Sequence, residues 1–176
     1  MMDDLKRREL FKLAAGAAFL TQIGPAVHAD TVGAGPRFFT KEEFDLVDEL
    51  SDMIIPTDDH SPGAKAAGVA SYIDARLAEA WKGEHQEEWR NGLKLIDSAS
   101  HKKNGKPFLD ATPEQRMAIL ESFAKNEKHP KTPEEKFFGA LKEATVYAYY
   151  TSDIGIHKDM DYKGNTMLKE FVGYAL

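Results

Sequence analysis

Apolar residues recur every three or four positions along most of the chain, which is the spacing of one face of a helix. In the first such stretch Phe44, Val47, Leu50 and Ile54 fall on one side, and acidic residues lie between them. No stretch alternates apolar and polar residues with the period of two that a half-buried strand shows. The pattern therefore predicts an all-α fold, a single compact domain of about five main helices with long loops.

Three of the predicted helices begin at a capping box. In this motif a threonine and an acidic or amide residue three positions later each satisfy a free backbone amide. The second and third boxes also place proline at the first helical position, where it is favoured. The boxes predict helix starts at 41, 113 and 133. They pair Thr40 with Glu43, Thr112 with Gln115, and Thr132 with Glu135.

Two more helices are predicted between the first two boxes, over 64–82 and 84–102. Pro56 ends the first helix because its ring clashes with the preceding turn, and Gly83 is predicted to cap the second. Loops are expected near 56–63, 103–111 and 152–170, and the pattern allows a short helix near 165–174. The expected core positions of the later helices are Val69, Ile73 and Leu77, then Trp89, Leu93, Ile96 and Ala99, then Met117, Leu120 and Ala124, and finally Phe137, Phe138, Leu141, Thr145 and Ala148.

The first thirty residues have the layout of a cleavable signal peptide, with a charged start, a short apolar run and small residues at its end. The run of about fifteen residues is shorter than the roughly 20 that a membrane helix needs. Two adjacent arginines close to the apolar run are typical of a twin-arginine export signal. An ordinary secretory signal and an uncleaved anchor are the alternatives. The signal residues are Arg7, Arg8, Leu10, Phe11 and Lys12, with cleavage at Ala29.

These features divide the chain into three parts. A twin-arginine signal peptide is predicted over 1–29, a linker over 30–38, and a helical domain over 39–176. The signal predicts that the protein is located in the periplasm.

Composition narrows the chemistry that the chain can carry. Its 176 residues have a net charge of -6 and include no cysteine. This excludes disulfides, iron–sulfur clusters, zinc sites with cysteine ligands and a cysteine nucleophile. The acidic balance argues against binding to nucleic-acid phosphates. Nucleotide-binding, zinc-hydrolase and serine-hydrolase motifs are missing from the sequence, so it identifies no catalytic, cofactor-binding or metal-binding residue.

One short polar stretch could hold a divalent cation. Asp58, Asp59 and His60 follow one another in a segment of turn residues, and carboxylate oxygens suit Ca²⁺ or Mg²⁺. The alternative is that these side chains cap backbone amides of the turn. The pair His85 and Glu88 and the group Asp153, His157, Asp159 and Asp161 are expected to be solvated surface residues.

Several short motifs follow one another along nearly the whole chain. After the predicted twin-arginine signal come Phe39-Thr40-x-x-Glu43, Asp52-Met53-Ile54-Ile55-Pro56, Ser61-Pro62-Gly63-Ala64, Ala67-Gly68-Val69, Tyr72-Ile73-Asp74, Tyr149-Tyr150-Thr151 to Gly155, and Tyr162-x-Gly164. In their order and spacing these motifs resemble the gluconate 2-dehydrogenase subunit 3 family.

The resemblance implies a non-catalytic small subunit of a flavin-dependent dehydrogenase complex. Its partner would be a large subunit of the glucose–methanol–choline type, which binds FAD and oxidises a sugar, sugar acid or polyol. Such a subunit often passes electrons to a cytochrome c subunit or to a quinone. The small subunit would act as an escort for export, maturation and stability of the large one. The alternatives are an independent periplasmic binding or structural module, and a metal-dependent enzyme that uses Asp58, Asp59 and His60.

The residues themselves support the escort hypothesis. The twin-arginine translocase carries proteins that have already folded, often around a cofactor, and this chain has no cofactor motif of its own. The folded cargo is therefore expected to be the partner subunit.

The surface that binds the partner is expected to include loops, where binding residues often lie. Tyr149 and Tyr150 cannot both face one core from a helix, so one of them is expected at a surface or an interface. The candidate contacts are Pro56, Pro62, Gly63, Tyr149, Tyr150, Tyr162 and Gly164.

Overall fold

The computed structural model describes residues 35–164, and within this range the fold is all helical. The all-α prediction is thereby confirmed. The predicted signal peptide, most of the linker and the short helix near 165–174 lie outside the described residues. The α-helices are α1 (Lys41–Ile54), α2 (Val69–Ala78), α3 (Gln86–Asn104), α4 (Pro113–Ala124) and α5 (Pro133–Tyr150). Two 3-10 turns (Trp81–Gly83 and Phe108–Asp110) and a π-helical turn (Gly155–Asp159) connect or follow them. None of these described helices is both long and apolar enough to cross a membrane.

All three capping boxes form as predicted. In the first, the Glu43 amide donates to the Thr40 hydroxyl at 3.2 Å, and the Thr40 amide donates to the Glu43 carboxylate at 2.9 Å. The same reciprocal bonds open α4 and α5. These helix starts follow from side chains within four residues of each other, which is why sequence alone locates them.

The second predicted helix is too long. Residues 64–68 form turns because the Ala64 amide donates to the Ile55 carbonyl at 2.8 Å, and Gly68 takes a left-handed φ of 68°. Helix α2 therefore begins at Val69. It also ends early, and Gly83 closes the 3-10 turn rather than α2. Helix α3 begins and ends two residues later than predicted, and it is capped after Asn104 by Gly105, whose φ is 72°.

Helix α5 is the centre of the core, since it packs against each of the other four α-helices. Its predicted core positions are all buried, and Tyr149 is buried with them. One face of the same helix is uncovered among the described residues. Glu143, Tyr147 and Tyr150 lie at spacings of four and three, so they share that face.

The buried face of α4 differs from the prediction. Met117, an expected core residue, is 42% exposed, whereas Ile119 and Phe123 are buried beside Leu120. Apolar residues occur on nearly every side of this short helix, so their spacing does not determine which side faces α3 and α5. The choice is made by packing against those helices.

The segment before α1 is held by the carboxylate of Asp74 on α2. Asp74 accepts hydrogen bonds from the backbone amides of Arg37, Phe38 and Phe39 at 2.6, 3.0 and 2.9 Å. Arg90 on α3 adds a bond to the Phe38 carbonyl at 2.8 Å and stacks over the Phe38 ring. The chain therefore enters α1 at a fixed position on α2 and α3.

Candidate docking surface

The two loops predicted to bind a partner contact each other in the structure. One is the loop over 56–63, and the other is the segment that follows α5. His60 Nε2 lies 2.8 Å from the carbonyl oxygen of Asp159. Tyr149 donates its hydroxyl to the Pro62 carbonyl at 2.8 Å and also lies 2.9 Å from the Ser61 hydroxyl. The structure therefore unites most of the candidate residues in one region, the loop junction (56–63 with 149–160).

Tyr149 is a core residue in this region, because only 1% of it is exposed. This corrects its assignment as a direct partner contact. Its hydroxyl is used inside the chain, which is the core-packing role of a buried tyrosine. Tyr150, by contrast, is 40% exposed and stacks edge-on against Tyr149 at 5.1 Å between ring centres. One tyrosine of the pair is buried and the other is at the surface, as predicted.

Replacing Tyr149 with phenylalanine is expected to lower the free energy of unfolding by about 1–2 kcal/mol, because the Pro62 carbonyl loses its shorter hydrogen bond and keeps only the 3.3 Å bond from the Ser61 hydroxyl. The matched control is Tyr147→Phe, since Tyr147 is 59% exposed. That change should stay within about 0.5 kcal/mol. Chemical unfolding followed by circular dichroism measures both. Equal losses in the two variants would show that the buried hydroxyl does not stabilise the loop junction.

Gly63 is required by the turn rather than by a partner. A Cβ at this position would lie 2.5 Å from the Thr57 amide nitrogen and 2.6 Å from the Ile55 carbonyl oxygen. Because these are backbone atoms, no side-chain movement relieves the contact.

The two candidate prolines differ in exposure. Pro56 is exposed just past the end of α1, and Pro62 is half-buried against Tyr149.

The Asp58 carboxylate acts as a turn cap. It accepts hydrogen bonds from the amides of Ser61 and His60, each at 2.8 Å, and these bonds hold the pKa of Asp58 below its ordinary value. Asp59 is exposed. Within residues 35–164 no three His, Asp or Glu side chains come together in a group that could hold a metal ion. The observed role of Asp58 is thus the capping role that was the alternative to a cation site.

The segment after α5 was expected to be a loop but contains the π-helical turn. Asp159 at the end of this turn faces two residues of the junction. A hydrogen bond between its carbonyl oxygen and the His60 ring is the main reason why the pKa of His60 lies above its ordinary value. A side-chain hydrogen bond to Asp159 raises the pKa of Tyr150.

The other candidate residues of this segment lie at the surface. Tyr162 and Gly164 follow the turn and are exposed. His157 pairs with Asp153 at 2.9 Å on the surface.

A cleft of about 660 Å³ lies between α2, the 3-10 turn that follows it, the start of α3, and α5. Its aromatic side chains are Tyr72, Trp81 and Tyr147, and they are 38%, 73% and 59% exposed. The rings of Tyr72 and Tyr147 lie 6.1 Å apart. The apolar pattern does not predict that Trp81 or Tyr72 lies at the surface, because it places both residues in one helix over 64–82. In the structure α2 ends at Ala78, before Trp81.

The cleft and the loop junction are linked by the uncovered face of α5. Tyr147 lines the cleft, and Tyr150, one turn further along, contacts Asp159 at the junction. We call this continuous set of residues the aromatic strip: Trp81, Tyr72, Tyr147 and Tyr150. Exposed tryptophan and tyrosine side chains are the residues that dominate binding energy at protein interfaces. The aromatic strip therefore has the residue composition that is typical of a protein-binding surface.

The rim of the cleft carries an exposed ion pair. His85 Nδ1 lies 3.0 Å from a Glu88 carboxylate oxygen at the cleft rim, and both side chains are at least half exposed. This is the solvated pair that the sequence predicted.

Comparison with known proteins gives a family match that covers the whole helical region. The family model of gluconate 2-dehydrogenase subunit 3 matches residues 41–167, a range that includes all five α-helices and the loop junction. Searches of curated proteins and of solved structures give no match. The motifs on which the resemblance rests also have roles in this fold: Thr40 caps α1, Asp74 holds the entering chain, and Tyr149 fixes the loop junction. The chain belongs to the gluconate 2-dehydrogenase subunit 3 family.

Proposed function

We propose that this chain is the small, non-catalytic subunit of a periplasmic flavin-dependent dehydrogenase that oxidises a sugar, sugar acid or polyol. In this proposal it escorts the large FAD-bearing subunit through export and maturation and stabilises it afterwards. Family membership carries the proposal, since it makes the chain an accessory subunit of a dehydrogenase complex. In this proposal FAD belongs to the large subunit, and the electrons pass to a cytochrome c subunit or to a quinone.

The aromatic strip supports a role in binding. Helix α5 forms the centre of the core, yet its exposed face carries Tyr147 and Tyr150. Large aromatic side chains that stay exposed together on a soluble surface are typical of interaction sites. A permanent subunit interface, which commonly covers about 2,000 Å² or more, would extend beyond this strip.

The export step rests on the N-terminal sequence. Arg7 and Arg8, followed by Leu10, Phe11 and Lys12, match the pattern of a twin-arginine signal. That route carries folded proteins, so a flavoprotein that has already bound FAD can cross the membrane together with this subunit. The twin-arginine translocase is thus the third partner in the proposal.

Changing both arginines to lysine tests the escort role while keeping the positive charge. In the Arg7→Lys/Arg8→Lys strain, dehydrogenase activity of the periplasmic fraction is expected to fall to the level of a strain that lacks this chain. The flavoprotein should accumulate in the cytoplasm. Lys12→Arg is the matched conservative control. Normal periplasmic activity in the double-lysine strain would contradict the escort role.

A further inference from the structure

We propose that the cleft around Trp81 binds a basic segment of the large flavoprotein subunit and that an arginine side chain of that segment enters it. The inference rests on the proposed function and adds the chemistry by which the partner is recognised. Its evidence is the combination of exposed aromatic rings, an apolar floor and carboxylates at one site.

The rings and the floor suit the long side chain of arginine. Trp81 and Tyr147 present exposed ring surface, and a guanidinium group stacks on such rings by cation–π attraction. Tyr72, which is 38% exposed, lines the cleft beside the small exposed edges of Ile73 and Leu77, and together they offer apolar surface to the methylene groups of the side chain. Lys82 Nζ of the neighbouring residue lies 6.0 Å from the centre of the Trp81 ring, at the outer limit of a cation–π contact.

The charges around the cleft favour a basic partner. Four glutamates line it, against one arginine, Arg76, and one histidine, His85. Glu79 is paired with Arg37 at 2.8 Å, and Glu88 is paired with His85. The other two lining glutamates are Glu84 and Glu143.

Glu84 and Glu143 are exposed, and neither forms an ion pair or a side-chain hydrogen bond within the part of the chain that the structure describes. They lie on different sides of the cleft, one before α3 and the other on α5. A guanidinium group that enters between them gains charge-assisted hydrogen bonds with the two carboxylates. Because both carboxylates are exposed and unpaired in the described part of the chain, they lose only contacts with solvent water.

The same charges disfavour a second copy of this chain as the occupant. A two-fold interface centred on the cleft would place Glu84 and Glu143 close to the same residues of the second copy. Like charges brought together in this way weaken an interface. A basic segment of another protein instead meets a lining in which four glutamates outnumber one arginine and one histidine.

The experiment uses the full chain co-expressed with its large flavoprotein subunit, followed by measurement of the dissociation constant of the purified complex at several salt concentrations. The Glu84→Gln/Glu143→Gln variant removes two charges and keeps the side-chain shapes. We expect it to weaken binding by about tenfold or more and to flatten the salt dependence. Trp81→Ala should weaken binding by at least a similar factor. Because these side chains are exposed, the variants should fold normally, which circular dichroism checks.

Matched controls lie away from the cleft. Asp110→Asn/Glu121→Gln removes the same two charges from exposed positions, and Met117→Ala removes an exposed apolar side chain. Both should leave the dissociation constant unchanged. An equal loss in the two charge variants would overturn the inference, because it would show a general effect of net charge.

A photo-crosslinking residue identifies the occupant directly. With p-benzoylphenylalanine at position 147, the cross-linked peptide of the large subunit should contain arginine at or next to the attachment site. A cross-link to a second copy of this chain, or to a segment without arginine, would overturn the inference while leaving the proposed function intact. If the unmodified chain fails to bind the flavoprotein at all, the proposed function fails as well.

Discussion

Replacing Asp74 with alanine is expected to lower the free energy of unfolding by about 3–5 kcal/mol, since a buried acceptor is lost from several donors at once. The side chain is 3% exposed and accepts the amides of Arg37, Phe38 and Phe39. Alanine leaves the buried Phe39 amide without its acceptor, and the other two amides, which are partly buried, lose theirs as well. The segment that leads into α1 should loosen together with this loss.

The controls for Asp74 separate this role from that of an ordinary acidic residue. Asp74→Asn keeps one carbonyl oxygen and should lose less stability than Asp74→Ala. Asp45→Ala breaks an exposed ion pair with Lys41 and should cost no more than about 1 kcal/mol. Urea unfolding followed by circular dichroism gives all three values. If Asp74→Ala and Asp45→Ala cost the same, Asp74 does not hold the entering chain.

Two glycines inside helices should respond to alanine in opposite directions. At Gly92 on α3, a Cβ would lie 2.0 Å from a ring carbon of Phe137, which is 2% exposed and packs edge-on against Trp89. At Gly139 on α5, a Cβ would have no atom within 4 Å. Alanine is favoured over glycine in a helix by about 1 kcal/mol, so only the space around each position distinguishes the two.

Gly139→Ala should therefore raise the free energy of unfolding by about 0.5–1 kcal/mol. Gly92→Ala should lower it by about 2 kcal/mol or more, because overpacking a filled core costs about 1–3 kcal/mol and the ring has no free space to enter. Thermal unfolding of both variants, side by side, checks the signs. A gain in stability for Gly92→Ala would mean that α3 and α5 are not packed as closely as the structure has them.

Local chemistry explains which parts of this fold were predictable from sequence. The capping boxes at Thr40, Thr112 and Thr132 use residues three positions apart, and all three helix starts were right. The predicted core positions of α5 were also right, because large apolar residues recur there at helical spacing from Phe137 to Ala148. On α4 the apolar residues leave no such side, and Met117 was placed in the core although it is exposed.

Contacts between distant residues explain what was missed. The turn at 64–68 depends on the Ala64 amide reaching the Ile55 carbonyl, and the role of Asp74 depends on amides 35–37 positions earlier. The surface position of Trp81 follows from the early end of α2. No spacing rule reveals such contacts, so the aromatic strip became visible only in the folded chain.

The candidate residues of the loop junction also fall into two groups that only contacts between distant residues distinguish. The sequence marks both loops as candidate binding elements, and the structure shows that they contact each other. Sequence alone does not separate the residues that build this region from those that are exposed on it. Tyr149 and Gly63 build it, whereas Tyr150 is exposed at its surface. Only burial makes this distinction.

The most direct test of the central claim is to purify the tagged full-length chain from the periplasm of its native host and to record the flavin absorbance and dehydrogenase activity of the eluted material. We expect a flavoprotein to elute with the chain in near-equal amount and the complex to oxidise a sugar, sugar acid or polyol. The chain alone should neither contain flavin nor oxidise these substrates. A chain that elutes without flavin, or that turns over substrate by itself, would contradict the central claim.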